Sequence, residues 1–190
     1  ANLEDVYLYE AEGKTSENSE HEKDVKEIIN YRKAINTAIK QLQKTPINLS
    51  LIKKTHSILL DSVRGSQKNK GELRKTQVYI GMPGSKIDQA LYVPPTFEKL
   101  SQLLTIWESF LNDEQSEKDP IVQIGLAHYQ FEAIHPFLDG NGRIGRLMIP
   151  LFLYYKKLLP YPLLYVSQYF ESNRKLYYQN LRKVDQEYDW

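Results

Sequence analysis

The chain has 190 residues, 25 Lys plus Arg against 24 Asp plus Glu, a net charge of +1 and no cysteine. That length suits one compact domain, and the near-neutral balance gives no electrostatic case for broad binding to nucleic acid or to an anionic membrane surface, so any anion site must be local. Disulfides and thiolate metal sites are excluded, no run is apolar for the ~18 residues a membrane span needs, and the start ANLEDVYLYEAEG is no export signal, so the cytoplasm is the expected setting.

Residues 1–23 read as a lead-in that ends in the polar stretch KTSENSEHEKD. From Asp24 to Lys44, Val25, Ile28, Ile29, Ala34, Ile35, Ala38, Ile39 and Leu42 recur mostly at spacings of three and four, which predicts an amphipathic helix ended by Pro46. A second helix over 50–60 carries Leu51, Ile52, Leu59 and Leu60, with His56 as a structural residue at the core edge. Residues 63–76, with Arg64, Lys68, Lys70, Arg74 and Lys75, read as a basic, solvated loop. The β-prone runs QVYIG and ALYVPP, separated by the turn formers of MPGSKIDQ, predict a β-hairpin over 77–95.

A helix over 96–111 follows, with Leu100, Leu103, Leu104, Trp107 and Leu111 at helical spacing. The next starts at Asp119-Pro120, an N-cap acceptor before a first-turn proline, and buries Ile121, Ile124, Ala127, Phe131 and Ile134. It must stop near His135, because a residue before proline is pushed out of helical geometry. RLMIPLFLYYKKLL, apolar almost all round, predicts a central helix bent at Pro150, and a last helix over 169–187 is expected to bury Phe170, Tyr177, Leu181 and Val184. The class that results is all-α with one small β-hairpin.

Between the two most apolar helices lies His135–Arg146, HPFLDGNGRIGR. His135 can move a proton near neutral pH and Asp139 can hold a hard cation through oxygen. Gly140, Gly142 and Gly145 let backbone approach a ligand, while Arg143 and Arg146 offer permanently charged forks that match phosphate oxygens. A helix whose first turn is made of these residues points free N–H groups at an anion, and His135 at the end of the preceding helix would stand at its rim as a base.

Three rival readings fail on context. Gly140, Gly142 and Gly145 satisfy GxGxxG, but a helical stretch precedes them and no acid stands about 20 positions on, as a dinucleotide fold requires. No Gly-Lys-Ser/Thr follows, which removes a P-loop. Zinc is disfavoured because His128 and His135 are seven apart and neither belongs to HExxH. His128 is expected to be a buried helix residue bonded to backbone.

HPFLDGNGRIGR matches the signature of the Fic family at every position, and INYRKAI, GELRKTQVYIG, ALYVPP, LAHYQFEAIHPF and YYQNL extend the likeness over most of the chain. The resemblance implies one mainly helical Fic domain over 1–190, with a flap at 77–95, that transfers AMP from ATP to a Ser, Thr or Tyr hydroxyl of a target protein and releases pyrophosphate. His135 would be the general base and Asp139 would hold Mg2+. Gly140, Asn141 and Gly142 would cradle the α- and β-phosphates, and Arg143 and Arg146 would neutralise the departing pyrophosphate. Ile80 and Gly81 in the flap would clamp the modified side chain, and Tyr177 and Tyr178 match a tyrosine pair near the family's nucleotide. Gly142 stands where the phosphate-transferring branch has Lys, which favours AMP; relatives using another donor, and a non-catalytic nucleotide-gated module, are the alternatives.

The resemblance further implies a longer parent protein. Nucleic acid would be contacted only through a C-terminal domain beyond Trp190, and self-association into a homo-oligomer stays open. Many relatives carry an inhibitory helix, Ser/Thr-x-x-x-Glu-Gly/Asn, before a segment like LEDVYLYEAEG, its glutamate pairing with the residue matching Arg146. Ser16 and Glu20 have that spacing, but His21 follows, so the helix is expected to precede Ala1 and this form to be deregulated.

Overall fold

The computed structural model describes residues 19–61, 63, 69–82 and 84–187; the lead-in with Ser16, the side chain of Glu20 and part of the basic loop lie outside them. Among the described residues seven α-helices follow one another: α1 (Ser19–Leu42), α2 (Leu49–Leu59), α3 (Leu100–Leu111), α4 (Pro120–Ile134), α5 (Asn141–Tyr155), α6 (Val166–Ser172) and α7 (Arg174–Glu187). None is long and apolar enough to cross a membrane.

Local chemistry sets these bounds. Asn48 Oδ1 accepts the Leu51 N–H at 2.9 Å and opens α2, and Asp119 Oδ1 accepts the Ile121 N–H at 2.7 Å ahead of Pro120 at the start of α4. His135 ends α4 in a left-handed conformation, φ 50° and ψ 60°, because Pro136 denies it helical geometry. Gly140, at φ 78°, starts α5 from a conformation that a side chain would strain.

The core forms around α5, which packs against α1, α2, α4 and α6 and runs continuously through Pro150. Ile144, Leu147, Met148, Leu151 and Phe152 are buried, each stabilising the fold by roughly 1.5–3 kcal/mol. The Trp107 indole donates to the Ala127 carbonyl at 2.9 Å and docks α3 on α4. Asn30 Nδ2 donates to the Asp61 carbonyl at 2.7 Å and ties α1 to the end of α2.

Several expectations need correction. No β-strand occurs among the described residues: the two β-prone runs meet at a single antiparallel bridge, Ile80 with Tyr92. Pro94 and Pro95 have no N–H with which to extend a ladder, and a two-stranded ribbon alone is marginal. A 3-10 turn, Ile87–Gln89, fills much of the intervening loop. The helix expected from residue 24 begins at Ser19, and the one expected from 96 begins at Leu100 after a 3-10 turn, Phe97–Lys99. Ile121 is 67% exposed and Ile28 is 43% exposed, the latter on the wall of a cleft. The last helix is two helices broken at Asn173, and Phe170 on α6 and Tyr177, Leu181 and Val184 on α7 are only half-buried, α7 packing chiefly against α6.

Candidate active site

The turn between α4 and α5 is held from beneath. Asn141 is 2% exposed, and its carboxamide pairs with Phe137 on both sides: Oδ1 accepts the Phe137 N–H and Nδ2 donates to the Phe137 carbonyl, each at 2.9 Å. Its side chain therefore shapes the turn, and the backbone N–H is what it can present to an anion. His56, fully buried on α2, stacks on Phe137 with ring centroids 3.8 Å apart and planes 9° from parallel. Its Nδ1 accepts the Gly71 N–H at 2.9 Å, so Nε2 carries the proton and donates to the Asp139 carbonyl, also at 2.9 Å. The structural role expected for His56 is specific: it fixes the backbone of Asp139.

His135 Nδ1 lies 3.3 Å from the Glu132 carbonyl, which can only accept. That leaves the Nε2 lone pair as the proton acceptor. Burial holds the imidazole below its ordinary 6.5, with Arg74 acting the same way and the Glu132 carbonyl and Asp139 opposing. The side chain is thus neutral at pH 7, as a base must be.

The first turn of α5 presents the backbone N–H groups of Asn141, Gly142 and Arg143, while the Ile144 N–H already bonds the Gly140 carbonyl at 3.0 Å. Asp139 Oδ1 accepts the Gly140 N–H at 2.6 Å and lies 3.8 Å from Arg143 Nη2. Arg143 Nη1 also stands 3.6 Å from Glu27 of α1. Arg146 folds back over the first turn, where a Cβ on Gly142 would meet its Nη1 at 2.8 Å, and its Nε donates to the Ser167 hydroxyl at 3.3 Å. Both arginines line an open cleft of about 810 Å³ together with Glu27, Ile28, Tyr31, Tyr165 and Ser167. Tyr31 and Tyr165 meet edge to face, centroids 5.4 Å apart, and burial pushes the Tyr31 hydroxyl up to about 12. Neither tyrosine was singled out from the sequence, since Tyr31 lies on α1 and Tyr165 just before α6, far apart in the chain.

Among the described residues no cluster of three His, Asp or Glu could hold a metal by itself. Asp139, one partly exposed carboxylate beside an anion site, fits Mg2+, which commonly takes one or two carboxylates and completes its shell with phosphates and water.

Beneath Arg146 lies a polar group that the sequence did not reveal. His128 Nε2 and the Tyr177 hydroxyl are 2.9 Å apart, a side-chain bond that stands beside a backbone contact to Gly145. Burial lowers the His128 pKa to about 4 and pushes the Glu132 carboxyl up to about 7, the Arg146 guanidinium pulling the latter back. A Cβ on Gly145 would overlap Glu132 Oε1, so only glycine fits there as the side chains stand. Tyr177 stacks on Phe170 and lines a smaller cavity of about 280 Å³ with Tyr129 and Leu181, whereas Tyr178 is 47% exposed under the Arg174 guanidinium. Ile80 and Gly81 sit at the bridge of the 77–95 loop, where Ile80 gives its N–H to the Tyr92 carbonyl at 2.8 Å and its carbonyl accepts the Leu91 and Tyr92 N–H groups.

Residues 46–153 match the Fic/DOC family. Protein adenylyltransferase Fic of Drosophila grimshawi is 39% identical over 121 residues, covering 62% of this chain and 22% of that protein. Its counterpart in Drosophila mojavensis is 37% identical over the same length, covering 21% of that protein. The chain thus spans about a fifth of the length of these relatives. A Fic family protein from Desulfovibrio desulfuricans superposes with a TM-score of 0.74 at 23% identity, covering 98% of this chain and 53% of that one. A Fic-domain signaling protein from Bacteroides thetaiotaomicron gives 0.64 at 23% identity over 82% of this chain and 57% of its own. At that identity the likeness establishes a shared fold.

Proposed function

The chain belongs to the Fic/DOC family, and on that footing we propose that it is a protein adenylyltransferase, moving AMP from ATP to a Ser, Thr or Tyr hydroxyl of a target protein. One observation carries the proposal: a neutral imidazole with Nδ1 against the Glu132 carbonyl stands at the end of α4, one short turn before a helix N-terminus backed by two arginines. The target oxygen attacks the α-phosphorus while its proton passes to His135 Nε2. The bond from the α-phosphorus to the bridging oxygen breaks, and pyrophosphate leaves with that electron pair. Free N–H groups of Asn141 and Gly142 meet the phosphates, the Gly140 N–H being taken by Asp139 Oδ1, and Arg143 and Arg146 balance charge on the leaving group.

Asp139 would hold Mg2+, which when bound neutralises phosphate charge. The triphosphate is assigned to the cleft where the arginines stand, with Tyr177 and Tyr178 on the adenosine side. The 77–95 loop, which exposes Ile80, Met82, Leu91 and Val93, is the surface assigned to the target, Ile80 and Gly81 clamping the modified residue and a target strand extending the single bridge into a hairpin. Gly142 leaves no side chain in the first turn, which favours AMP over phosphate transfer. The Drosophila relatives carry the name of this activity.

The test is intact-mass analysis of the protein and of candidate targets after incubation with ATP and Mg2+. The expected result is a gain of one adenylyl group that disappears with Asp139→Ala at low Mg2+; a gain of one phosphoryl group, or none with any nucleotide, would overturn the proposal.

A further inference from the structure

Arg74 falls in the stretch read from sequence as solvated loop, yet it is 2% exposed, and its side-chain hydrogen bonds all go to backbone carbonyls, with the Glu98 carboxylate near enough to favour the charge. Its surroundings explain why a charge can sit there. The last carbonyls of a helix lack intrahelical donors and carry the negative end of its dipole, and Pro136 brings no N–H to satisfy them. At the end of α4 the donors come from the neighbourhood of the 77–95 loop. The Ala133 carbonyl accepts the Tyr92 hydroxyl at 2.9 Å, Ile134 accepts Arg74 Nη2 at 3.3 Å, His135 accepts Arg74 Nε at 2.8 Å, and Pro136 accepts the Arg74 N–H at 2.9 Å. The same guanidinium reaches both roots of the loop, Nη1 donating to the Thr76 carbonyl at 3.2 Å and Nη2 to that of Pro95 at 2.5 Å.

His135 is held in a left-handed conformation that a non-glycine residue keeps only when its surroundings over-determine it. The fork supplies that constraint. We propose that Arg74 is a positioning residue whose buried guanidinium locks both roots of the 77–95 loop to the carbonyls of the His135 turn, making target seating and imidazole placement one mechanical event. Its reach rests on the assignment of that loop to the target. Lysine cannot replace it, since one ammonium with three donors at a point cannot span carbonyls on three segments.

Hydrogen exchange on the full chain tests the coupling without any appeal to activity. In Arg74→Lys the bonded amides of the loop, Ile80, Leu91 and Tyr92, and those of Phe137 and Gly140 in the turn are expected to exchange together at least about tenfold faster, with the α3 core unchanged. Tyr92→Phe, which removes only the hydroxyl bond to Ala133, is expected to shift the same two segments less, and it serves if Arg74→Lys does not fold. Acceleration of the loop alone, or of neither segment, overturns the proposal. Single-turnover self-modification with α-labelled ATP adds the second readout: the rate constant is expected to fall about 10- to 100-fold in Arg74→Lys, with ATP affinity within about twofold. A merely structural role lowers the amplitude and leaves the rate constant, which also overturns it. If the wild-type protein transfers no label, the adenylyltransfer proposal fails, and the exchange result still decides Arg74.

Discussion

Replacing His56 with Ala removes the post on which Asp139 and Phe137 rest. The imidazole is fully buried, accepts from the Gly71 N–H, donates to the Asp139 carbonyl, and stacks on Phe137. Each backbone group left unpaired costs about 1–3 kcal/mol, and the lost stacking and new void add to this, for a total of roughly 3–5 kcal/mol. In a domain of this size each kcal/mol lowers the melting temperature by about 2–4 °C, so a drop on the order of 10 °C is expected in a thermal scan at pH 7.5. His56→Phe keeps an aromatic ring for Phe137 but neither hydrogen bond, and should fall between. Burial lowers the His56 pKa from 6.5, so the folded state holds fewer protons than the unfolded chain and this support is complete above pH 6.5 and declines as pH falls below it. The difference between wild type and variant should therefore shrink in acid. A His56→Ala protein within about 1 kcal/mol of wild type at pH 7.5 would refute the reasoning.

Two glycines on neighbouring helices should respond oppositely to alanine. Gly125→Ala on α4 meets open space and should stabilise by about 0.5–1 kcal/mol, whereas Gly145→Ala overlaps Glu132 Oε1 and should cost about 1–3 kcal/mol by overpacking; urea titration distinguishes them. Glu132→Gln concerns pH. The folded carboxyl titrates near 7 against 4.5 when free, so its destabilisation is absent below pH 4.5, grows as pH rises, and is complete above 7. The variant should melt higher than wild type at pH 8 and lose that advantage at pH 4.5, and an advantage independent of pH would count against a raised carboxyl.

What the sequence revealed were features whose causes are local. The Asp119-Pro120 cap, the stop before Pro136 and the apolar stripes of α1 to α4 depend on residues within a turn or two of each other. The HPFLDGNGRIGR stretch was legible for the same reason, since His135, Asp139, Arg143 and Arg146 come together on one short connection and the opening of the helix that follows it. Arg74 was not: its partners lie up to 62 positions away, and one arginine in a basic stretch carries no periodic signal that distinguishes a buried fork from a solvated one. The bond from His128 to Tyr177 and the Tyr31–Tyr165 contact are similarly long-range. The hairpin was overestimated because β-propensity marks strands that fit a sheet, and here no third strand exists among the described residues for the two runs to join. The end of the chain was misread because the α6 and α7 stripes are amphipathic without a second layer to cover them.

The central claim is that His135 drives transfer of the α-phosphoryl group and its nucleoside. The direct measurement incubates wild type and His135→Ala with ATP labelled at the α- or the γ-phosphate, together with Mg2+, and follows label bound to protein while nucleotide affinity is measured separately. Wild type should take up α-label and no γ-label, and His135→Ala should bind ATP as before and transfer roughly a hundred- to ten-thousand-fold more slowly. Uptake of γ-label, or α-label uptake at an undiminished rate in His135→Ala, would contradict the account.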